Sequence, residues 1–193
     1  MKQQKKKNLI LIGFMGCGKT SVGIKLSYRL KQTFLDTDKQ IERKAGKSIS
    51  EIFAQDGEDA FRQMETDFLR ELLIKNDTGF QIFSTGGGTP VREENRELLK
   101  QLGTVIYLKA SPAVIYERLK GDTTRPLLQT EDPKARIAEL MEAREEAYAL
   151  TADVVLTVDN KSPEEIVEKL QEIVRINKAE ARRGEPNNEA SCN

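Results

Sequence analysis

Lys19 and Thr20 close the segment Gly13-Phe14-Met15-Gly16-Cys17-Gly18-Lys19-Thr20, whose spacing is that of a phosphate-binding loop. Glycine admits backbone angles and close approaches that a Cβ blocks, so successive N–H groups can converge on one anion. A helix that starts here adds the positive end of its dipole. In such a loop Lys19 is a point charge for the β- and γ-phosphates, and the Thr20 hydroxyl is a ligand for Mg²⁺. The plain alternative is a glycine turn that happens to precede a helix. The apolar run at 9–12 before the loop and the Lys-Thr pair within it argue against that. The chain is expected to bind a nucleoside triphosphate.

Five further segments carry candidate chemistry. In Phe34-Leu35-Asp36-Thr37-Asp38, a backbone that stays extended would point Asp36 and Asp38 the same way, because strand side chains repeat every two residues. One carboxylate could then stand near the metal while the other accepts the proton of an acceptor hydroxyl. The competing reading is a solubilising strand end with Asp38 capping the next helix. Arg62 and Glu65 are three apart in Phe61-Arg62-Gln63-Met64-Glu65 and share a helical face. An arginine held by a carboxylate is a fork for a substrate carboxylate or diol, although surface pairs at this spacing are common. Gly86, Gly87 and Gly88 leave bare N–H groups after an apolar strand, which suits close contact with a small polar molecule; a flexible turn is the alternative. Arg125 precedes Pro126 in a stretch between two helices that reads as a lid. It could meet the transferring phosphoryl group as the lid excludes water, or simply form a salt bridge in the loop. Arg144 and Tyr148 lie one helical turn apart, in a helix so rich in glutamate that an intrahelical Arg144–Glu pair competes with a substrate role.

The elements that must position these residues alternate. Short apolar segments near 8–12, 33–35, 81–84, 104–108 and 154–157 read as strands. Helical patterns fill 19–31, 38–45, 49–53, 57–75, 92–101, 112–120, 134–150 and 162–177. Ser48 and Glu51 have capping-box spacing, and Ser162-Pro163 reads as an N-cap with proline in the first helical position. This alternation predicts an α/β fold, a parallel sheet covered on both faces, with ligands at the carboxyl ends of its strands. One domain is expected over 8–177, with a lid at about 119–131. Flanking it are a flexible basic start, 1–7, and a disordered tail, 178–193, where apolar periodicity is lost.

Composition excludes several classes. Lys+Arg and Asp+Glu both number 31, so no net charge draws the chain to nucleic acid or a membrane surface. The lysines of the start could form a nucleic-acid arm, but a frayed end accounts for them. No apolar run approaches a membrane span, and no signal-type stretch follows the start. The sequence has no histidine, and its two cysteines, Cys17 and Cys192, make no disulfide framework. A zinc site is therefore not expected; any metal should be a hard cation held by oxygen, in a protein of the reducing cytoplasm.

Taken in order, GFMGCGKT, LDTD, FRQME, STGGGTP, RPLL and AREEAY resemble the motifs of the shikimate kinase family, within the nucleoside-monophosphate-kinase-like branch of P-loop enzymes. The resemblance runs from about residue 9 to about residue 170. It implies a three-layer αβα sandwich with a five-stranded parallel sheet of order 2-3-1-4-5 and a mobile lid. It also implies a monomer that uses ATP and Mg²⁺ to phosphorylate the 3-hydroxyl of shikimate, on the way to chorismate and aromatic amino acids. Carried over residue by residue, it assigns ATP to Gly13, Met15, Gly16, Cys17, Gly18, Lys19, Thr20 and Ser21. Arg118 would pack on adenine, and Arg125 would be the lid arginine. Thr20 and Asp36 would serve the metal, and Asp38 would grip the acceptor hydroxyls and act as base. Arg62 and Arg144 would clamp the shikimate carboxylate, with Glu65 orienting Arg62 and Gly86, Gly87 and Gly88 contacting the substrate. Lys19, Asp38 and Arg125 are thus the expected catalytic set. The run Arg-Glu-Glu-Ala-Tyr departs slightly from the family's arginine, two variable residues, leucine, tyrosine.

Rival readings fare worse. A GTP-dependent switch needs an N-K-x-D segment and a D-x-x-G after the third strand; Asn160-Lys161-Ser162-Pro163 is only a partial echo. An ATP-driven motor wants an acidic pair at the end of the third strand, where this chain has Ser84-Thr85-Gly86. Gluconate kinase is closer, since an open-chain polyol carboxylate could use the same groups, and there the resemblance decides.

Overall fold

The computed structural model describes residues 8–75, 79–122 and 126–183. β1 (Asn8–Ile12) is buried along its whole length, with no polar alternation, because it is the central strand of a sheet covered on both faces. It pairs in parallel with β3 (Gln81–Ser84) on one side and β4 (Gly103–Lys109) on the other. β2 (Thr33–Asp36) extends the sheet beyond β3, and β5 (Val154–Thr157) beyond β4. The order is β2-β3-β1-β4-β5, the one implied by the resemblance.

Period-two alternation divides β1 between two cores. Leu9 and Leu11 join Val22 and Leu26 of α1 (Lys19–Leu30), Ile115 of α6 (Pro112–Leu119) and Ile166 and Leu170 of α8 (Pro163–Arg183). Ile10 and Ile12 face the other way, onto Leu69 of α4 (Glu58–Ile74), Leu99 of α5 (Glu93–Leu102) and Tyr148 of α7 (Pro133–Thr151). Truncating a side chain such as Leu11, with no exposed surface, to alanine should cost about 2–5 kcal/mol. A third, smaller cluster joins Ile41 of α2 (Thr37–Ala45), Ile52 of α3 (Ile49–Gln55) and Phe61 and Phe68 of α4. That cluster fixes one wall of the site.

Local signals explain most helix ends. The Ser48–Glu51 capping box forms as its spacing predicts. Pro163 opens α8, and the Ser162 hydroxyl accepts from the Glu165 N–H at 3.2 Å. One expectation is corrected. α8 does not end near residue 177 but continues to Arg183, so 178–183 are helical. Lys-Ala-Glu-Ala-Arg-Arg contains only strong helix formers, and propensity carries the helix on where the apolar periodicity stops. The basic start at 1–7 and residues 184–193 lie outside the described residues, as do 123–125 of the expected lid. Among the described residues no helix is long and apolar enough to cross a membrane.

Candidate active site

The loop between β1 and α1 takes positive φ at Gly13 (138°), Gly16 (78°) and Gly18 (102°), angles that L side chains rarely adopt. A Cβ on Gly13 would also stand 2.6 Å from the Leu108 carbonyl oxygen. Gly18 is the N-cap of α1, so the first N–H groups of that helix open onto the loop. Lys19, largely buried, donates from Nζ to the carbonyls of Gly13 at 2.8 Å and Phe14 at 3.0 Å. The Thr20 hydroxyl donates to Asp36 Oδ2 at 2.7 Å. Arg118 reaches over from α6 and donates to the Gly16 carbonyl at 3.1 Å. Gly16, Gly18, Lys19, Thr20, Asp36 and Arg118, with Met15 and Ser21, line a cavity of about 430 Å³ that extends to Ser84 and Thr85. Gly13 and Cys17 lie off it: the Cys17 side chain belongs to the core and its N–H donates to the Phe14 carbonyl.

The geometry of the Asp36/Asp38 pair is not the one expected. β2 stops at Asp36, which becomes the N-cap of α2 and accepts from the Lys39 N–H at 3.3 Å. Asp38 already lies in the first turn of that helix, so strand alternation does not align the two. Both nevertheless line the phosphate-loop cavity, because a helix beginning at the end of β2 turns its first residues over the same sheet edge.

A second cavity, of about 500 Å³, adjoins the first and shares Met15, Asp38, Glu42, Ile49 and Gly87 with it. Its charged lining comes from three separate elements: Asp38 and Glu42 from α2, Arg62 from α4 and Arg144 from α7. Arg62, on the inner face of α4, donates from Nη1 to Glu65 at 2.6 Å, and from Nη2 and Nε to Glu58 at 2.8 and 3.2 Å. Three of its five N–H groups are thereby used, and two are left over among the described residues. Glu65 is itself buried and accepts a second bond, from the Thr89 hydroxyl. Burial alone would lower the Arg62 guanidinium, but Glu65 and Glu58 outweigh it and raise it above its ordinary value. The competing reading of an exposed surface pair does not apply to Arg62 and Glu65.

Arg144 projects from α7 into the same cavity, 7% exposed, with the Phe14 ring 5.7 Å from its guanidinium carbon. Among the described residues it has no carboxylate partner. Glu145, its neighbour in the glutamate-rich run, turns away to Tyr107 and Lys109. A buried arginine without a counter-ion is costly, and an anion in the cavity would relieve that cost.

The three glycines do more than expose backbone. A Cβ on Gly86 would stand 2.6 Å from Asp38 Oδ1 and 2.7 Å from Glu65 Oε1, and one on Gly88 would run into the Arg62 guanidinium. They make room for the charged side chains. Asp38 Oδ1 is buried and has no hydrogen-bond partner among the described residues. Burial, then the charges of Glu65 and Asp36, push the Asp38 carboxyl up to about 7, against the pull of Lys19 and Arg62.

Sequence reasoning missed Glu58 and Thr89. Glu58 stands four residues before Arg62, a legible helical spacing; nothing local marks Thr89, which meets Glu65 only through the fold. Arg125 lies outside the described residues. The other expected site residues all gather at the carboxyl edge of the sheet, in or under the two cavities.

The family model for shikimate kinase matches residues 15–175. A shikimate kinase of Nitrosospira multiformis is 43% identical over 169 residues, 88% of this chain and 85% of the relative. The chain belongs to the shikimate kinase family. Membership makes it an ATP-using transferase. The solved structure of a shikimate kinase from Acinetobacter baumannii in complex with shikimate superposes with a TM-score of 0.83 at 36% identity, covering 90% of this chain and 95% of that one. A gluconokinase from Sinorhizobium meliloti, at 15% identity and a TM-score of 0.58 over 94% of this chain and 99% of its own, shares only the fold. Within the shikimate kinase family the gluconate alternative loses its ground.

Proposed function

We propose that this chain transfers the γ-phosphoryl group of ATP to the 3-hydroxyl of shikimate by direct in-line displacement. The observation that carries the reading is Asp38, which lines both cavities and therefore stands between a phosphate loop and a site for a small anion. In the larger cavity the two N–H groups of Arg62 left over from Glu58 and Glu65, and the guanidinium of Arg144, which has no carboxylate partner among the described residues, would take the carboxylate. Asp38 would hold the acceptor hydroxyls and accept the proton as the oxygen attacks phosphorus. A carboxyl pushed up to about 7 suits that exchange near neutral pH. On the donor side, Lys19 and the loop N–H groups would bear the charge of the transferring phosphoryl group. Arg118 would pack on adenine, and Arg125 would close on the phosphates with the lid.

The donor set fits Mg²⁺. A hydroxyl and a carboxylate in contact at the lip of the loop suit a small hard cation that keeps most of its water and takes its other ligands from phosphate. Thr20 and Asp36 would hold it, Asp36 through water, and it would neutralise phosphate charge. We assign the protein to the reducing cytoplasm on its two widely spaced cysteines, and to a monomer on its family resemblance.

The test is ADP release with ATP·Mg²⁺ and shikimate, gluconate, AMP or no acceptor. Release that depends on shikimate is expected; release without acceptor, or with gluconate or AMP instead, overturns the reading. Replacing Asp38 by asparagine should then lower turnover roughly 10²–10⁴-fold. Full turnover in that variant would remove Asp38 from the mechanism.

A further inference from the structure

The carbonyl of Gly87 is held from α7 twice. The Tyr148 hydroxyl donates to it at 2.5 Å and Arg144 Nη1 at 3.4 Å. Tyr148 is 1% exposed, and burial raises its hydroxyl above the ordinary phenol range, so it remains a donor at any working pH. Its ring is braced from behind by Tyr107, with centroids 4.9 Å apart, and the Tyr107 hydroxyl donates to Glu145 at 2.8 Å. The arm that reaches the glycine loop is thus rigid.

A loop of three glycines has no side chains by which to be held, and its backbone loses more freedom on ordering than any other. Only bonds to its peptide groups can fix it. In a planar trans peptide the carbonyl of Gly87 and the N–H of Gly88 point in opposite directions. Anchoring the carbonyl on α7 therefore turns the Gly88 N–H away from α7. Among the described residues, no group accepts a bond from the N–H of Gly86, Gly87 or Gly88. All three glycines line the larger cavity.

We propose that Tyr148 is a positioning residue for the acceptor: through the Gly87 carbonyl it sets the direction of the Gly88 N–H and the place of the Arg144 guanidinium. The kinetic consequence rests on the reading of the larger cavity as the acceptor site, whereas the orientation of the glycine peptide does not.

Two variants separate this role from plain packing. Tyr148→Phe keeps the ring and loses the bond to Gly87; Tyr107→Phe loses a hydroxyl from the same aromatic pair without touching the loop. In steady-state kinetics Tyr148→Phe should raise KM for shikimate about five- to tenfold while KM for ATP and kcat stay within about twofold. Tyr107→Phe should change none of them. Equal losses in both variants, or no rise in KM for Tyr148→Phe, overturn the proposal. In ¹H–¹⁵N spectra of glycine-labelled protein without substrate, the Gly88 amide should shift in Tyr148→Phe and stay in place in Tyr107→Phe. If the unaltered protein fails to phosphorylate shikimate, the functional reading falls by itself. The Gly88 amide then still decides, and an unmoved Gly88 sinks the positioning role.

Discussion

The phosphate-loop cavity and the larger cavity, which we propose takes the acceptor, lie at one sheet edge and share Asp38, yet they are built in opposite ways. The loop is one contiguous segment, held by backbone angles at Gly13, Gly16 and Gly18, with Lys19 and Thr20 supplied by the next turn of helix. The larger cavity is assembled from α2, α3, α4, the loop after β3 and α7, and the side chains around Arg62 hold one another: Glu58 and Glu65 on Arg62, Thr89 on Glu65. A backbone cradle accepts any phosphate chain of the right shape. A set of side chains drawn from separate elements can be rearranged element by element while the fold stays the same.

This contrast can be broken experimentally. Lys19→Ala should have the largest effect, lowering kcat roughly 10³-fold through lost stabilisation of transferring charge. Shikimate affinity measured by calorimetry should be unchanged; a parallel loss would mean that the two regions are not separable. Arg144→Ala should raise KM for shikimate about 10²-fold, the effect of removing one charged partner from a desolvated anion, with KM for ATP unaltered. A variant that loses ATP and shikimate binding together would place Arg144 in the shared structure instead.

The smallest effect concerns stability. The folded Asp38 carboxyl is raised from 3.8 to about 7, so between those values the folded state binds more protons than the unfolded one. Stability from this group is fully present below about pH 4 and is lost as pH rises through 7. Asparagine cannot ionise, so Asp38→Asn should melt higher than the unaltered protein at about pH 8, by roughly 3–8 °C. The gap should close as pH falls from 7 toward 4. A constant gap, or its inversion, would deny that burial of Asp38 is costly.

What could be read directly was whatever depends on neighbours in sequence. The phosphate loop, the capping box at Ser48, the strand-helix alternation and the spacing of Arg62 and Glu65 are all of this kind, because each rests on contacts within a turn or two. Resemblance to a family added the strand order and the acceptor. Asp36 and Asp38 mark the limit: the expectation that they face one way relied on an extended backbone, and the helix that starts at Thr37 reaches a similar outcome by another route. Helix propensity likewise carries α8 beyond residue 177, where the apolar pattern stops.

The sequence by itself therefore determined the fold class and the nucleotide loop, since period-two and helical patterning and glycine backbone freedom are local properties. Only the tertiary structure decided which charges face each other. It buried Glu65 between Arg62 and Thr89, left Arg144 without a carboxylate among the described residues, set Asp38 between two cavities and brought the Tyr148 hydroxyl to Gly87, 61 residues away along the chain. The physical reason is the same for each. A side chain's pKa, pairing and reach depend on what burial takes away and which neighbour replaces water, and those neighbours come from distant segments.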